Sequence, residues 1–375
     1  MATAANGPLA GLRVLELAGL GPAPYCALLL ADLGADVVRI DRPGQDEDPP
    51  WPVLGRGRRS VSVDLKGATG VAALLALTDR ADVLLEPFRP GVAERLGIGP
   101  EVCLARNPRL VYGRMTGWGQ TGPWSGMAGH DIDYIAVTGA LHAIGRAGGP
   151  PQPPLNLLGD FAGGSMFLLT GVLAALWERE RSGWGQVVDA SIVEGTASLT
   201  AFVHGVRAAG MWRDERGVNL LDTGAPYYDV YRTADGEWMA VGAVEPRFFA
   251  ELVRLLEMDD PPPQHDRARW PRLRAALADA FARRTREEWT AVFAGTDACV
   301  APVLSFAEAA AHPQLAARGV LVEDDGVCHP APAPRFSRTP GRRGGPAPAA
   351  GEHTREVFTE WGVPDRLHPT PNRPA

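Results

Sequence analysis

The sequence predicts an α/β protein: a parallel sheet covered by helices, followed by a smaller α+β domain. Three observations predict it. Short apolar runs of strand length alternate with helix-length apolar segments through roughly the first half of the chain. The pattern then changes to a hairpin followed by short helices. The length of 375 residues leaves room for two hydrophobic cores.

The elements follow in order. Leu12–Leu17 is a strand, Tyr25–Leu33 an apolar helix closed by Gly34, and Val37–Ile40 a second strand. A helix from about Gly70 to Thr78 leads to a strand at Asp82–Leu85, and Arg109–Tyr112 is another short strand. Ser165–Glu180 reads as a long helix too apolar for a surface position. Val187–Asp189 is a strand, and Ile192–Ala209 a further helix. Tyr228–Thr233 and Trp238–Val241 flank the turn Ala234-Asp235-Gly236 and form a hairpin. Helices follow from about Arg247, Trp270 and Glu287. Thr285…Glu288 and Ser305…Glu308 have capping-box spacing. The Pro/Gly-rich stretch Pro330–Gly351 is an extended strap, and Thr354–Trp361 a last short helix. The expected division is a parallel-sheet, Rossmann-like large domain over residues 1–212, to which 325–375 return, and a small α+β domain over 226–322.

Composition narrows the function. A net charge of −7 argues against nucleic acid as a partner. No apolar run reaches the roughly 18 residues of a membrane span, and the first residues lack the pattern of a signal peptide. The chain reads as cytoplasmic. Cys26, Cys103, Cys299 and Cys328 are far apart, which indicates neither a zinc site nor a disulfide framework. Cys26 and Cys299 sit in apolar runs and read as buried free thiols. Lys66 is the sole lysine, and Gly67 follows it, so no phosphate-binding P-loop is present.

The first βα turn, Gly19-Leu20-Gly21-Pro22-Ala23-Pro24, begins like a dinucleotide-binding loop, and Asp41 ends the second strand. Pro24 stands at the third glycine position and defeats that reading. Arg39 and Arg42 flank Asp41, and Arg56, Arg58 and Arg59 follow. They form either a rim for the phosphates of an adenosine-containing ligand or a solvated face. Arg89, in Glu86-Pro87-Phe88-Arg89-Pro90-Gly91, sits on a proline-fixed loop after a strand. It is either a ligand contact or a surface arginine in a rigid turn.

Three segments carry the chemistry. Gly129-His130-Asp131-Ile132-Asp133-Tyr134 sets an imidazole among carboxylates, which would raise its pKa and hold one tautomer. Gly159-Asp160-Phe161-Ala162-Gly163-Gly164-Ser165 sets a carboxylate at a helix start. Asp160 is either a plain N-cap or a reactive group whose glycine neighbours admit a ligand. Nearby backbone N–H groups could hold an oxyanion. Val241-Gly242-Ala243-Val244-Glu245-Pro246 offers Glu245, catalytic or a helix-start acid. Together His130 and Asp160 suggest proton transfer at one carbon from two sides.

These segments, with Leu15-Glu16-Leu17-Ala18-Gly19, Asp41-Arg42-Pro43-Gly44, Arg59–Lys66, Phe88-Arg89-Pro90-Gly91 and Thr116-Gly117-Trp118-Gly119-Gln120, resemble the family III CoA-transferase superfamily. Within it, Gly129-His130-Asp131 with Tyr134, and Gly242-Ala243-Val244-Glu245-Pro246, are similar to the α-methylacyl-CoA racemase branch. Thr223 stands where that family commonly has glycine, and Arg247 where it commonly has glutamine.

The resemblance implies an isomerase that epimerises the α-carbon of 2-methylacyl-CoA thioesters in lipid metabolism. His130 and Asp160 would be the two bases, with Glu245 assisting His130. CoA would be part of the substrate, with no separate cofactor and no metal. Arg39, Arg42, Arg56, Arg59 and Arg89 are the expected contacts to its CoA moiety. The resemblance also implies an interlocked homodimer, with each site shared between the large domain of one chain and the small domain of the other. The alternative is a CoA transferase in which Asp160 is the nucleophile and carries CoA as a thioester. A non-catalytic acyl-CoA-binding protein is a third class.

Overall fold

The computed structural model describes residues 7–44, 52–324 and 326–368. The chain divides into two compact units. The first comprises Met1–Thr138, Pro154–Thr200 and Glu323–Ala375, and the second Gly139–Pro153 and Ala201–Val322.

The first unit is built on a six-stranded, wholly parallel sheet. Its strands are β1 (Arg13–Leu17), β2 (Asp36–Asp41), β3 (Arg59–Ser62), β4 (Val83–Glu86), β5 (Val111–Thr116) and β6 (Val187–Ser191), in the spatial order β3-β2-β1-β4-β5-β6. Successive side chains point to opposite faces, so the apolar runs feed two cores. Val14, Val37, Val83 and Val111 pack under the helices Pro22–Asp32 and Met166–Ser182. Leu15, Val38, Leu84 and Tyr112 face the helix Ala68–Thr78 and the C-terminal helix Thr354–Glu360 with Trp361. The sheet predicted from sequence is therefore present, with one more strand than expected. β3 was missed because Arg59, Ser60 and Ser62 give it no apolar run.

β3 is an edge strand, and the C-terminal segment covers it. His353 N–H donates to Ser60 O at 2.9 Å, and Gly351 N–H to Ser60 Oγ at 2.7 Å. The strap upstream is irregular, as expected, and Gly57 N–H donates to Gly345 O at 2.8 Å. Edge polar groups that would otherwise invite strand pairing are thereby occupied.

Two helical expectations need correction. Ile192–Ala209 is two helices, Ile192–Leu199 and Ala201–Ala208, interrupted at Thr200. The second has no buried residue, and the division between the units falls at this break. Residues 201–212 thus group with the second unit rather than the first. Gly139–Pro153 joins them because Arg216 donates to His142 O and Gly149 O, and Arg146 pairs with Asp229. The helix expected from Ser165 is preceded without a gap by a π-helical stretch, Leu157–Ser165. The combined 26-residue run is long and apolar enough to cross a membrane, contrary to the reading from sequence. Its apolar residues Leu168, Leu169, Val172 and Leu176 lie in the sheet's core, which accounts for that composition.

The second unit carries a three-stranded antiparallel sheet of β7 (Tyr228–Arg232), β8 (Trp238–Gly242) and β9 (Val300–Pro302). Helices Pro246–Leu255, Trp270–Phe281 and Arg286–Phe293 close a core with Tyr231, Phe281 and Trp289 at its centre. Both predicted capping boxes are formed. Cys299, expected inside, is exposed, whereas Cys26 is buried.

Thr223 has a φ of 74°, and its carbonyl accepts from Arg274 at 2.6 Å. A β-branched residue is strained in this left-handed region, which explains why glycine suits the position. Thr223→Gly should stabilise the protein by about 0.5–1 kcal/mol, the relieved strain exceeding glycine's extra unfolded-state entropy. The urea midpoint of unfolding measures it.

Candidate active site

In the first unit the strand order reverses between β1 and β4, so the loops leaving their carboxyl ends part and open a crevice. A cavity of about 410 Å³ lies there. Gly21 and Pro22 from the β1 loop, Pro87–Pro90 from the β4 loop and Thr116–Trp118 from the β5 end line it. His130 and Asp160 also line it, from two separate helices. The two residues singled out from sequence are therefore brought together in one cavity.

Close packing explains several glycines. A Cβ on Gly19 would stand 2.5 Å from Pro87 Cγ, so the β1 and β4 loops touch only because the side chain is missing. The Tyr134 ring lies against Gly117 and Gly129, where added Cβ atoms would come within 2.1 and 2.8 Å of it. Its hydroxyl donates to Gly129 O at 2.5 Å, fixing the residue before His130. Gly163 meets the neighbouring helix at Gly195, whose Cβ would lie 1.8 Å from Gly163 O. These glycines serve protein contacts, and Gly163, expected to admit a ligand, packs on the neighbouring helix outside the cavity lining.

The β4 loop is held by more than its prolines. Buried Glu86 accepts Phe88 N–H at 2.7 Å and Arg114 Nε–H at 2.9 Å. Burial pushes its carboxyl up to about 7, against the opposing pull of Arg114.

His130 is the exposed N-cap of the helix Asp131–Val137. Its flanking acids do not hold the imidazole as the sequence suggested. Asp133 caps the backbone, its carboxylate accepting His130 N–H at 2.9 Å. Asp131 turns inward, and its Oδ2 accepts Asp160 N–H at 2.6 Å.

Asp160 lies within the π-helical turn and is not an N-cap. One carboxylate oxygen accepts from Asn156 Nδ2 at 3.4 Å, and the group sits over Gly21, where a Cβ would approach Oδ2 to 3.2 Å. Burial raises its pKa, the Asn156 amide lowers it, the Asp131 charge raises it and His130 lowers it, in decreasing order. The net direction is upward, towards neutrality, which suits a general acid/base.

A profile of the CoA-transferase family III matches residues 9–354. The chain belongs to CoA-transferase family III. It is 50% identical to the alpha-methylacyl-CoA racemase of Mus musculus over 358 residues, covering 94% of this chain and 93% of that one. It is 48% identical to the alpha-methylacyl-CoA racemase of Homo sapiens over 361 residues, with the same coverage. It is 34% identical to the succinyl-CoA–D-citramalate CoA-transferase of Chloroflexus aurantiacus, covering 94% of each. Among solved structures it resembles a CAIB/BAIF family protein from Brucella suis, with a TM-score of 0.82 at 25% identity, covering 95% of this chain and 100% of that one.

In this family III chain the five arginines expected to contact CoA separate. Arg89 is exposed and lines the cavity. Arg42 is exposed just past β2. Arg39 pairs with Asp41 at 2.8 Å, which also accepts Ser60 Oγ–H. Arg56 is 2% exposed and bound through both terminal nitrogens to Asp32. Arg59 joins Asp36 at 2.6 Å to Glu356 and Glu360 of the C-terminal helix. These two hold the fold, and sequence spacing could not show their distant partners.

Glu245 belongs to the second unit, as the exposed N-cap of the helix Pro246–Leu255, and its side chain makes no capping bond. Gln264 supports the segment before it, donating to Ala243 O at 3.0 Å and Val244 O at 2.8 Å.

Proposed function

We propose that this chain epimerises the α-carbon of 2-methylacyl-CoA thioesters. The carrying observation is that His130 and Asp160 line one cavity from two different helices. Near-full-length identity of 50% to a protein named alpha-methylacyl-CoA racemase supports the choice of reaction. One base removes the α-proton, leaving an enolate, and the conjugate acid of the other returns a proton to the opposite face. Two bases allow inversion without turning the substrate over.

The enolate oxygen needs donors. Backbone N–H groups near Asp160 were expected from sequence, and Asp160 N–H itself is spent on Asp131. The N–H of Asp131, the first residue of the helix that follows His130, has no helical residue four places back to accept it and is the alternative donor. Glu245 would reach His130 from the second unit of a partner chain in an interlocked homodimer. CoA is bound as part of the substrate, and its remote contacts position the reacting carbon.

Incubating one 2-methylacyl-CoA epimer in deuterated water tests the reading. A racemase incorporates deuterium and yields both epimers without an acid acceptor. A requirement for an acceptor acid would instead establish CoA transfer, the activity named for the 34%-identical Chloroflexus relative. Neither exchange nor transfer would leave a binding protein.

Arg89 supplies a charge at the cavity rim for the CoA moiety. Arg89→Ala should raise the Michaelis constant for CoA thioesters about tenfold, through loss of charge-assisted hydrogen bonds. Short thioesters lacking the nucleotide should be little affected. Equal effects on both substrate classes would place Arg89 elsewhere in the mechanism.

A further inference from the structure

We infer that Asp131 is a positioning residue that ties the turn presenting Asp160 to the helix beginning at His130. The inference rests on the acid/base reading of those two residues.

Asp131 is 7% exposed, and its Oδ2 accepts Asp160 N–H at 2.6 Å, a short charge-assisted bond across 29 residues of sequence. Burial raises the Asp131 pKa, and the neighbouring Asp160 and Gly159 N–H groups lower it. Gly159 itself is required by this contact, since a Cβ there would lie 2.3 Å from Asp131 Oδ2. The π-helical turn has wider hydrogen-bond spacing than an α-helix. An N–H held from outside fixes where its side chains point. The peptide carrying the Asp160 side chain is thus anchored by the residue next to His130. One carboxylate sets the spacing of both acid/base groups.

A purely local role would not need this arrangement. Asp131 Oδ1 is buried with no hydrogen-bond partner among the described residues. Burying such an atom is unfavourable, and a buried carboxylate is a costly way to satisfy one amide. What the charge adds is an effect on Asp160, whose proton affinity Asp131 raises. The other groups acting on Asp160 are His130, which lowers it, and the Asn156 amide, which also lowers it. Tyr134, on the Asp131 helix, feels Asp160 in turn.

The test compares Asp131→Asn, Asp131→Ala and Gly159→Ala in the full-length enzyme, with both substrate epimers. Asp160→Asn is the control for the underlying reading: if that variant stays active, the acid/base reading fails, whatever Asp131 does. With Asp160 shown essential, Asp131→Ala and Gly159→Ala should lose about 10- to 100-fold in kcat, with the Michaelis constant little changed. Asp131→Asn keeps the shape and removes the charge. Its rate profile for the epimer deprotonated by Asp160 should move its acidic limb to lower pH. Folding is checked by circular dichroism and urea titration. Folded Asp131 variants with unchanged kcat and an unmoved acidic limb would overturn the inference. Loss of fold in all three variants would overturn it as well, since Asp131 would then serve the fold and not the spacing of the acid/base pair.

Discussion

Replacing Asp160 by asparagine should cut epimerisation and solvent exchange by about 10²- to 10⁴-fold, the usual contribution of a positioned acid/base group. The fold should survive. Asn has nearly the same shape, and the turn is held by the backbone N–H bond to Asp131, which does not involve the Asp160 side chain. Wild-type activity towards the epimer deprotonated by Asp160 should fall as pH drops through its raised pKa, because only the carboxylate can accept the proton. Trapping separates base from nucleophile. Hydroxylamine or borohydride, added during turnover with an acid acceptor present, should capture nothing on Asp160 if it is a base. An aspartyl hydroxamate or a reduced aspartyl group there would assign CoA transfer to the chain. Urea unfolding of Asp160→Asn separates lost chemistry from lost structure.

Much of this site was legible in the sequence, because strand ends announce themselves. Leu12–Leu17, Asp82–Leu85 and Arg109–Tyr112 read as strands from apolar runs bounded by turn residues, and the segments that follow β1, β4 and β5 build the cavity. His130 and Asp160 stood out because each is set among glycines. What each neighbour does was not legible. Asp131 and Asp133 both seemed partners of the imidazole, but helix geometry sends one to cap the backbone and the other to the next helix. The arginines' partners were hidden for a related reason. Arg56 finds Asp32 and Arg59 finds Glu356 only after the sheet and the C-terminal helix are assembled. The π-helical turn escaped because its segment is as apolar as any helix start. The break at Thr200 has no proline or glycine to announce it. Thr223 shows the reverse case: its positive φ is a conformation that glycine adopts without strain.

His130 and Glu245 provide the sharpest test of mechanism and assembly together. His130→Ala should lose exchange from one epimer more than from the other, because each base serves one face, with about 10²- to 10⁴-fold at stake. Equal, small losses from both epimers would remove His130 from the mechanism. Glu245→Gln should impair the same face if Glu245 assists His130. Glu245 lies in the second unit and His130 in the first. If the pair forms across two chains, neither variant homodimer has a complete histidine-side site. Refolding the two variants together then creates mixed dimers. In these, one site joins the intact His130 of one chain to the intact Glu245 of the other, and the second site carries both substitutions. With random pairing about half the dimers are mixed, each with one good site of two, so about a quarter of the wild-type signal should return. Size-exclusion chromatography with one tagged variant confirms that mixed dimers formed. If they form and activity remains the average of the two parents, Glu245 does not act across the interface. It would then serve its own chain's His130 or have no catalytic part. The distinction needs no ligand-bound structure, because recovery requires the two intact residues to come from different chains.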